Sequence, residues 1–339
     1  MIIQIQANIS ERDLLQLKES LTALGCKSTE VKTQSGHYLV STDKGQYDIR
    51  SIGLIPGVKD VHKVSDQYKL VSSKWKINPT VIDLGDDVRI GDGSLSIMAG
   101  PCSIENEEQI IKVLNHLKEN GIKIMRGGVY KPRSSPYSFR GLGNEGLKLW
   151  YELAQPFGIK IISEVMEVAQ IESMHDYVDI FQIGARNTQN FNLLDELGKV
   201  DKPVMIKRGI SGTIDELLYS AEYIFSAGNE NILLCERGIR TYETASRNTF
   251  DINAIPILKQ KSHLPVVADP SHGIGIRSYV EPIALASVMA GADAIIYETH
   301  EVPEKAFSDG QQTLDFEQSQ KLVKKLRKTF ELRAEFAEY

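Results

Sequence analysis

Cysteine is scarce: only Cys26, Cys102 and Cys235 occur in 339 residues. Three are too few for a disulfide framework, and their spacing is not that of a paired-cysteine metal site. Positive charge is also short. The formal net charge of −6 excludes general nucleic-acid binding, which needs a basic surface. No apolar run approaches the ~20 residues of a membrane span. The opening Met-Ile-Ile-Gln-Ile-Gln has neither the basic segment nor the apolar core of a secretory signal. These absences predict a cytoplasmic protein with reduced thiols and no membrane or nucleic-acid partner. Any anion site must then be local.

What the chain does contain is a rhythm. With 42% apolar and 25% charged residues it is a globular chain, long enough for one large domain and a small one. Residues 1–72 predict a small α+β unit. Ile3, Ile5 and Ala7 alternate with Gln4 and Gln6 as in a half-buried strand. Ser10 can cap a helix whose Leu14, Leu17, Leu21 and Leu24 form a stripe that Gly25 ends. Two strand-like runs flank the turn Gln34-Ser35-Gly36, then a short helix and a strand at Val58–Val64 complete a ferredoxin-like βαββαβ order. Ser72-Ser73-Lys74 and Pro79 suggest a linker, and Thr80–Ile90 a hairpin able to plug the bottom of the larger domain.

From residue 73 to 339 the pattern becomes strand then helix, with strands beginning near 96, 123, 160, 180, 203, 231, 265 and 294. Eight units at roughly 30-residue spacing predict a (β/α)8 TIM barrel rather than a doubly wound sheet. Phe316–Tyr339 reads as the last helix of its outer ring. On such a barrel the C-terminal strand ends meet on one face, where chemistry is built.

Those ends carry reactive residues. Cys102, His272 and Glu298 fall at predicted strand ends, and Asp309 in the loop after the eighth strand. Singly, each has a plain explanation, since a lone cysteine packs as a small hydrophobe and a histidine after Pro-Ser caps a turn. Together, a thiolate, an imidazole and two carboxylates suit Mn²⁺, Fe²⁺, Co²⁺ or Zn²⁺ better than Mg²⁺ or Ca²⁺. Arg126, Lys131, Arg133, Arg186, Lys207, Arg208 and Arg237 form a cationic set at the same ends. So many cations are costly to desolvate unless anionic ligands meet them, with Glu164 and Glu236 the nearby carboxylates for an internal pair. Gly127-Gly128 and Ser134-Ser135 add close backbone approach and hydroxyl donors. Cys26, Cys235 and the remaining histidines are expected to be structural, with His300 at most supporting the metal set.

At these motifs the chain resembles the 3-deoxy-D-arabino-heptulosonate 7-phosphate (DAHP) synthases of the short type with a ferredoxin-like N-terminal domain. The matching segments include AGPCSIE at 99–105, MRGGVYKPRSSPYSFRGLG at 125–143 and QIGARNTQNFNLL at 182–194. PVMIKRG at 203–209, LCERGIRTYE at 234–243, DPSHGIG at 269–275, YETH at 297–300 and SDGQQ at 308–312 extend the match across the barrel. The resemblance implies condensation of phosphoenolpyruvate, erythrose 4-phosphate and water to DAHP and phosphate, the first step of the shikimate pathway.

It further implies that Cys102, His272, Glu298 and Asp309 hold a divalent metal, Mn²⁺ being favoured. Arg126, Lys131, Ala185, Arg186, Lys207 and Arg237 would bind phosphoenolpyruvate, and Arg133 and Ser134 the sugar phosphate. Ser134 stands where the family usually has threonine. Lys131 would also relay a proton. The small domain would regulate in response to tyrosine or phenylalanine, in a homotetramer.

The rival of like chemistry is 3-deoxy-D-manno-octulosonate 8-phosphate synthase, against which Lys-Pro-Arg-Ser at 131–134 speaks. A Schiff-base aldolase using Lys131 or Lys207, and a non-enzymatic sensor of aromatic metabolites, are the remaining alternatives.

Overall fold

A computed structural model gives the fold, and residues 1–43, 45, 47–131, 137 and 139–337 are described, the last by its backbone alone. Arg133 and Ser134 lie outside the described residues. The chain opens with β1 (Ile2–Ile5), α1 (Glu11–Ala23), β2 (Thr29–Lys32), β3 (His37–Val40), α2 (Ile49–Gly53) and β4 (Val58–His62). Their sheet is antiparallel in the order β2-β3-β1-β4. Strand alternation sets its two faces. Ile3, Ile5, Leu39 and Val58 pack with Leu17, Leu21 and Ile52 of the helices. Ile2, Val31, Tyr38 and Val40 point the other way, into the core that the barrel also uses. Ser10 accepts the Asp13 N–H at 3.1 Å, the cap its position predicts.

A hairpin of β5 (Ile82–Asp83) and β6 (Arg89–Ile90) precedes the barrel. The barrel strands are β7 (Ser96–Gly100), β8 (Ile124–Gly127), β9 (Lys160–Val165), β10 (Ile180–Ile183), β11 (Val204–Lys207), β12 (Ile232–Glu236), β13 (Val266–Ala268) and β14 (Ala294–Glu298). They close in sequence order, every neighbour parallel. The fold is therefore the (β/α)8 barrel expected. Ile82, Val88 and Ile90 of the hairpin pack on Ile124, Ile162, Ile180, Met205 and Ile296 inside it, so the hairpin seals one end.

The same alternation builds the other end. On five strands the inward position two residues beyond an apolar side chain is polar: Ile124 gives Arg126, Ile162 Glu164, Met205 Lys207, Val267 Asp269 and Ile296 Glu298. The apolar layer supplies the core and the polar layer supplies the mouth.

Helices cover the outside: α3 (Glu107–Glu119), α4 (Gly143–Ala154), α5 (Val168–His175), α6 (Phe191–Leu197), α7 (Ile214–Ala227), α8 (Ala254–Lys261), α10 (Arg277–Met289) and α11 (Phe316–Ala337), while the one-turn α9 (Pro270–Ile274) follows β13 at the mouth. Among the described residues no helix is long and apolar enough to cross a membrane. The Ser72–Lys74 stretch is a fastened strap rather than a loose linker. Ser72 is fully buried, its hydroxyl bonds Asp66, and its backbone bridges Ser262. Glu222 on α7 accepts the N–H groups of Lys69, Leu70 and Val71 at 2.9–3.0 Å. Polar composition reads as solvent exposure only until partners are found for it.

Two buried histidines predict an acid-sensitive fold. His263 joins the strap to the barrel by contacts with Leu70 O and Thr80, edge-on to Trp75. His116 stacks on Phe316 and contacts Ser319. Burial, aided at His263 by Lys76, holds both imidazoles down to about 4 from an ordinary 6.5. The unfolded chain therefore binds more protons than the native one between those values, and stability falls as pH drops through that window. The full loss is on the order of 3 kcal/mol per histidine. Urea midpoints at pH 7 and pH 5 test this: the midpoint should drop, and less so after His116→Gln with His263→Gln. An unchanged midpoint in the wild type would contradict it.

Candidate active site at the barrel mouth

β7 ends at Gly100, where φ of +156° lets the chain pass Arg126; a Cβ there would lie 2.0 Å from the Arg126 carbonyl oxygen. The turn that follows brings Cys102 into the mouth, 3.3 Å from Asp309 Oδ2. Asp309 sits in the left-handed region, at φ +50°, an uncommon place for a residue with a side chain. Its loop is pinned to the loop after β7. Ser103 and Ser308 share a 2.7 Å hydrogen bond, and the Phe307 N–H donates to Glu105. Glu298 is fully buried at the end of β14.

Cys102, Glu298 and Asp309 thus offer one sulfur and two oxygens within 4.8 Å of one another. His272, on the one-turn helix α9 capped by Asp269, stands at the rim of that set. Its Nε2 is 3.3 Å from Glu298 Oε1, and its Nδ1 is 2.8 Å from Asp269 Oδ2. Donors bonded to one ion at 2.0–2.3 Å lie roughly 3–3.7 Å apart, which the 3.3 Å Cys102–Asp309 and His272–Glu298 spacings match.

Electrostatics set how each donor is protonated. Burial and the Glu298 charge push the Cys102 thiol up to about 12. Burial also lowers His272 despite Asp269 and Glu298, favouring the neutral imidazole a metal takes. Asp309 is pushed up by burial, yet His272 and Arg247 hold it at about 2.

The cations divide into two groups. Arg126 donates to Glu298 Oε1 at 3.0 Å and to Pro101 O, Lys207 to Asp269 at 2.6 Å, and Arg208 to Glu236 and Asp251 at 2.9 and 2.8 Å. Three of the seven thus have carboxylate partners, the expected Glu236 among them. Lys131 and Arg237 instead meet only carbonyl oxygens among the described residues, Cys102 O at 2.9 Å and Gly238 O at 3.3 Å. Arg186 is exposed, and with Ala185 it lines a cavity of about 200 Å³ at the ends of β10 and β11.

Such a mouth, with mixed soft and hard donors beside cations, invites comparison with known barrels. Residues 74–335 match the DAHP synthetase I family. The chain belongs to that family. Over 271 residues it is 51% identical to phospho-2-dehydro-3-deoxyheptonate aldolase of Thermotoga maritima, covering 80% of each chain. A crystal structure of the DAHP synthase of that organism superposes with a TM-score of 0.78 at 43% identity, covering 98% of this chain and 97% of the other. A 2-dehydro-3-deoxyphosphooctonate aldolase of Geobacter sulfurreducens is more distant, at 32% over 259 residues, 70% of this chain and 93% of its own.

The chain is therefore an enzyme of DAHP synthase type, and several mouth residues escaped the sequence reading. Asp269 partners both Lys207 and His272, Arg247 reaches Asp309 at 3.3 Å, and Gln312 bonds Glu298. Asp269 had a signal, since it ends a predicted strand. A Cβ at Gly127 would strike Ile104 and Trp150, and one at Gly128 the Lys131 side chain, so the paired glycines of this enzyme also serve packing and the path of Lys131. Cys26 and Cys235 are buried among apolar side chains.

Proposed function

We propose that the enzyme condenses phosphoenolpyruvate with erythrose 4-phosphate and water, releasing DAHP and inorganic phosphate, in the cytoplasm. The observation that carries this is the convergence of Cys102, Glu298 and Asp309 within 4.8 Å beside Lys131. Cys102, His272, Glu298 and Asp309 hold a divalent metal, Mn²⁺ by preference, which when bound supplies a Lewis acid for the aldehyde oxygen.

The chain's own residues do the rest. Arg126, Lys131, Arg186, Lys207 and Arg237, with Ala185, hold phosphoenolpyruvate; Arg133 and Ser134 hold the sugar phosphate. Cations placed around two mutually repelling anions keep the reacting carbons together, an orientation effect worth several kcal/mol. C3 of phosphoenolpyruvate bonds the aldehyde carbon, and the Lys131 ammonium protonates the resulting alkoxide. Water adds at C2, and the phosphohemiketal expels phosphate. Residues 1–72 form a regulatory domain answering to tyrosine or phenylalanine, and residues 73–339 the catalytic one, in a homotetramer.

One assay tests the reading: phosphate release from phosphoenolpyruvate with erythrose 4-phosphate or arabinose 5-phosphate, before and after chelation and Mn²⁺ return. Turnover is expected with the four-carbon sugar alone, lost on chelation, restored by Mn²⁺ and lowered by one of the two amino acids. Turnover confined to the five-carbon sugar would move the assignment to the octulosonate enzyme. Chelator-resistant turnover would remove the metal, and indifference to both amino acids would remove the regulator.

A further inference from the structure

Two motifs of the barrel, the loop after β12 and the SDGQQ segment, meet at a residue to which the condensation chemistry gives no part. Gln312 is 2% exposed. Its Nε2 donates to Glu298 Oε2 at 2.7 Å, and its Oε1 accepts from Arg247 Nη1 at 2.9 Å. Arg247 comes from the segment after Ile239, which folds back through a bridge between Ile239 and Thr249. A guanidinium only donates and a carboxylate only accepts. An amide between them has one orientation that satisfies both, nitrogen toward Glu298 and oxygen toward Arg247. The two neighbours therefore remove the ambiguity that an amide alone would have.

The consequence falls on Glu298. With Oε2 tied to Gln312 and Oε1 to Arg126 at 3.0 Å, the carboxylate plane is fixed, and Oε1 lies beside His272 Nε2 at 3.3 Å. Glu298 is also fully buried, so no water replaces a lost partner without cost. The arrangement starts from Gln312's own loop, because the Gln312 N–H bonds back to Asp309 O at 3.2 Å. One short segment thus carries both a candidate ligand and the amide that orients another.

We propose that Gln312, oriented by Arg247, is a positioning residue that sets the Glu298 carboxylate for metal binding. This rests on the proposed metal site. A ligand's hydrogen-bond partner contributes typically 10–100-fold to metal affinity.

The test is Mn²⁺ titration of the metal-free full-length enzyme, free ion being read by electron paramagnetic resonance, for wild type and Gln312→Met. Methionine keeps the volume and loses both hydrogen bonds. Affinity should fall about 10–100-fold in the folded variant. The metal-free protein should also melt lower, because buried Glu298 loses a hydrogen-bond partner, so the affinity and not the melting temperature reads the positioning role. Where Gln312→Met does not fold, Gln312→Asn takes its place. It keeps the amide but shortens its reach by one methylene, and it should weaken binding in the same sense. Affinity within twofold of wild type in the folded variant would overturn the proposal. A wild type that takes up no Mn²⁺ overturns the metal reading itself, and the proposal with it.

Discussion

Cys102→Ala should lose turnover by on the order of a thousandfold, the scale on which a Lewis acid stabilises developing charge. The loss should come without a matching loss of fold. Cys102 is buried, but its thiol contributes one 3.3 Å contact to Asp309 and otherwise lies beside the negative charge of Glu298. Removing it from the metal-free protein deletes a single sulfur from a site already crowded with acceptors. In wild type, excess Mn²⁺ stabilises the native state by RT ln(1 + [L]/Kd), about 2.7 kcal/mol at a hundred times Kd. The same Mn²⁺ should leave the melting temperature of Cys102→Ala nearly where chelation puts it. Melting curves with and without metal, beside phosphate release, read both effects. A variant whose Mn²⁺-dependent melting shift and turnover both persist would take the thiol out of the ligand set.

The candidate set is legible in the sequence because of strand period. A parallel barrel makes every strand end equivalent, so Cys102, His272 and Glu298 could be gathered on one face from their places in the repeat alone. The inward alternation that ends in Arg126, Lys207 and Glu298 is likewise written in the chain, two residues beyond Ile124, Met205 and Ile296.

Pairing is not legible in that way. Lys207 meets Asp269 across 62 residues and Arg126 meets Glu298 across 172, and no local pattern ties those positions together. The same holds for the strap at Ser72, whose burial depends on Asp66 and on Ser262 of a distant turn. Local period fixes which face a side chain takes. Which partner it finds there depends on closure of the barrel and on loops of differing length.

That difference makes Arg237 the informative cation. The residue is 6% exposed, and its one hydrogen bond among the described residues is the 3.3 Å contact to Gly238 O. Burial lowers its pKa from the ordinary guanidinium value, with Asp269 the chief charge opposing the shift. Asp269 is already engaged by Lys207 at 2.6 Å and by His272 at 2.8 Å. A buried cation so poorly compensated costs several kcal/mol in the free enzyme, and an apolar side chain of similar volume relieves that cost.

Arg237→Met should therefore raise the stability of the free enzyme by about 1–3 kcal/mol, read as a higher urea midpoint. Phosphoenolpyruvate affinity should fall in the same protein. Losing one or two charge-assisted hydrogen bonds, at about 1.5–3 kcal/mol each, corresponds to roughly ten- to a thousandfold. Calorimetric titration with phosphoenolpyruvate measures this directly. Arg237→Lys keeps the charge without the planar fork and should fall between the two on both scales. Effects of opposite sign separate a binding cation from a structural one, because a structural cation loses stability when removed. An Arg237→Met protein that is less stable and still binds phosphoenolpyruvate as wild type does would assign Arg237 to the fold, leaving Lys131 and Arg186 to meet the anion.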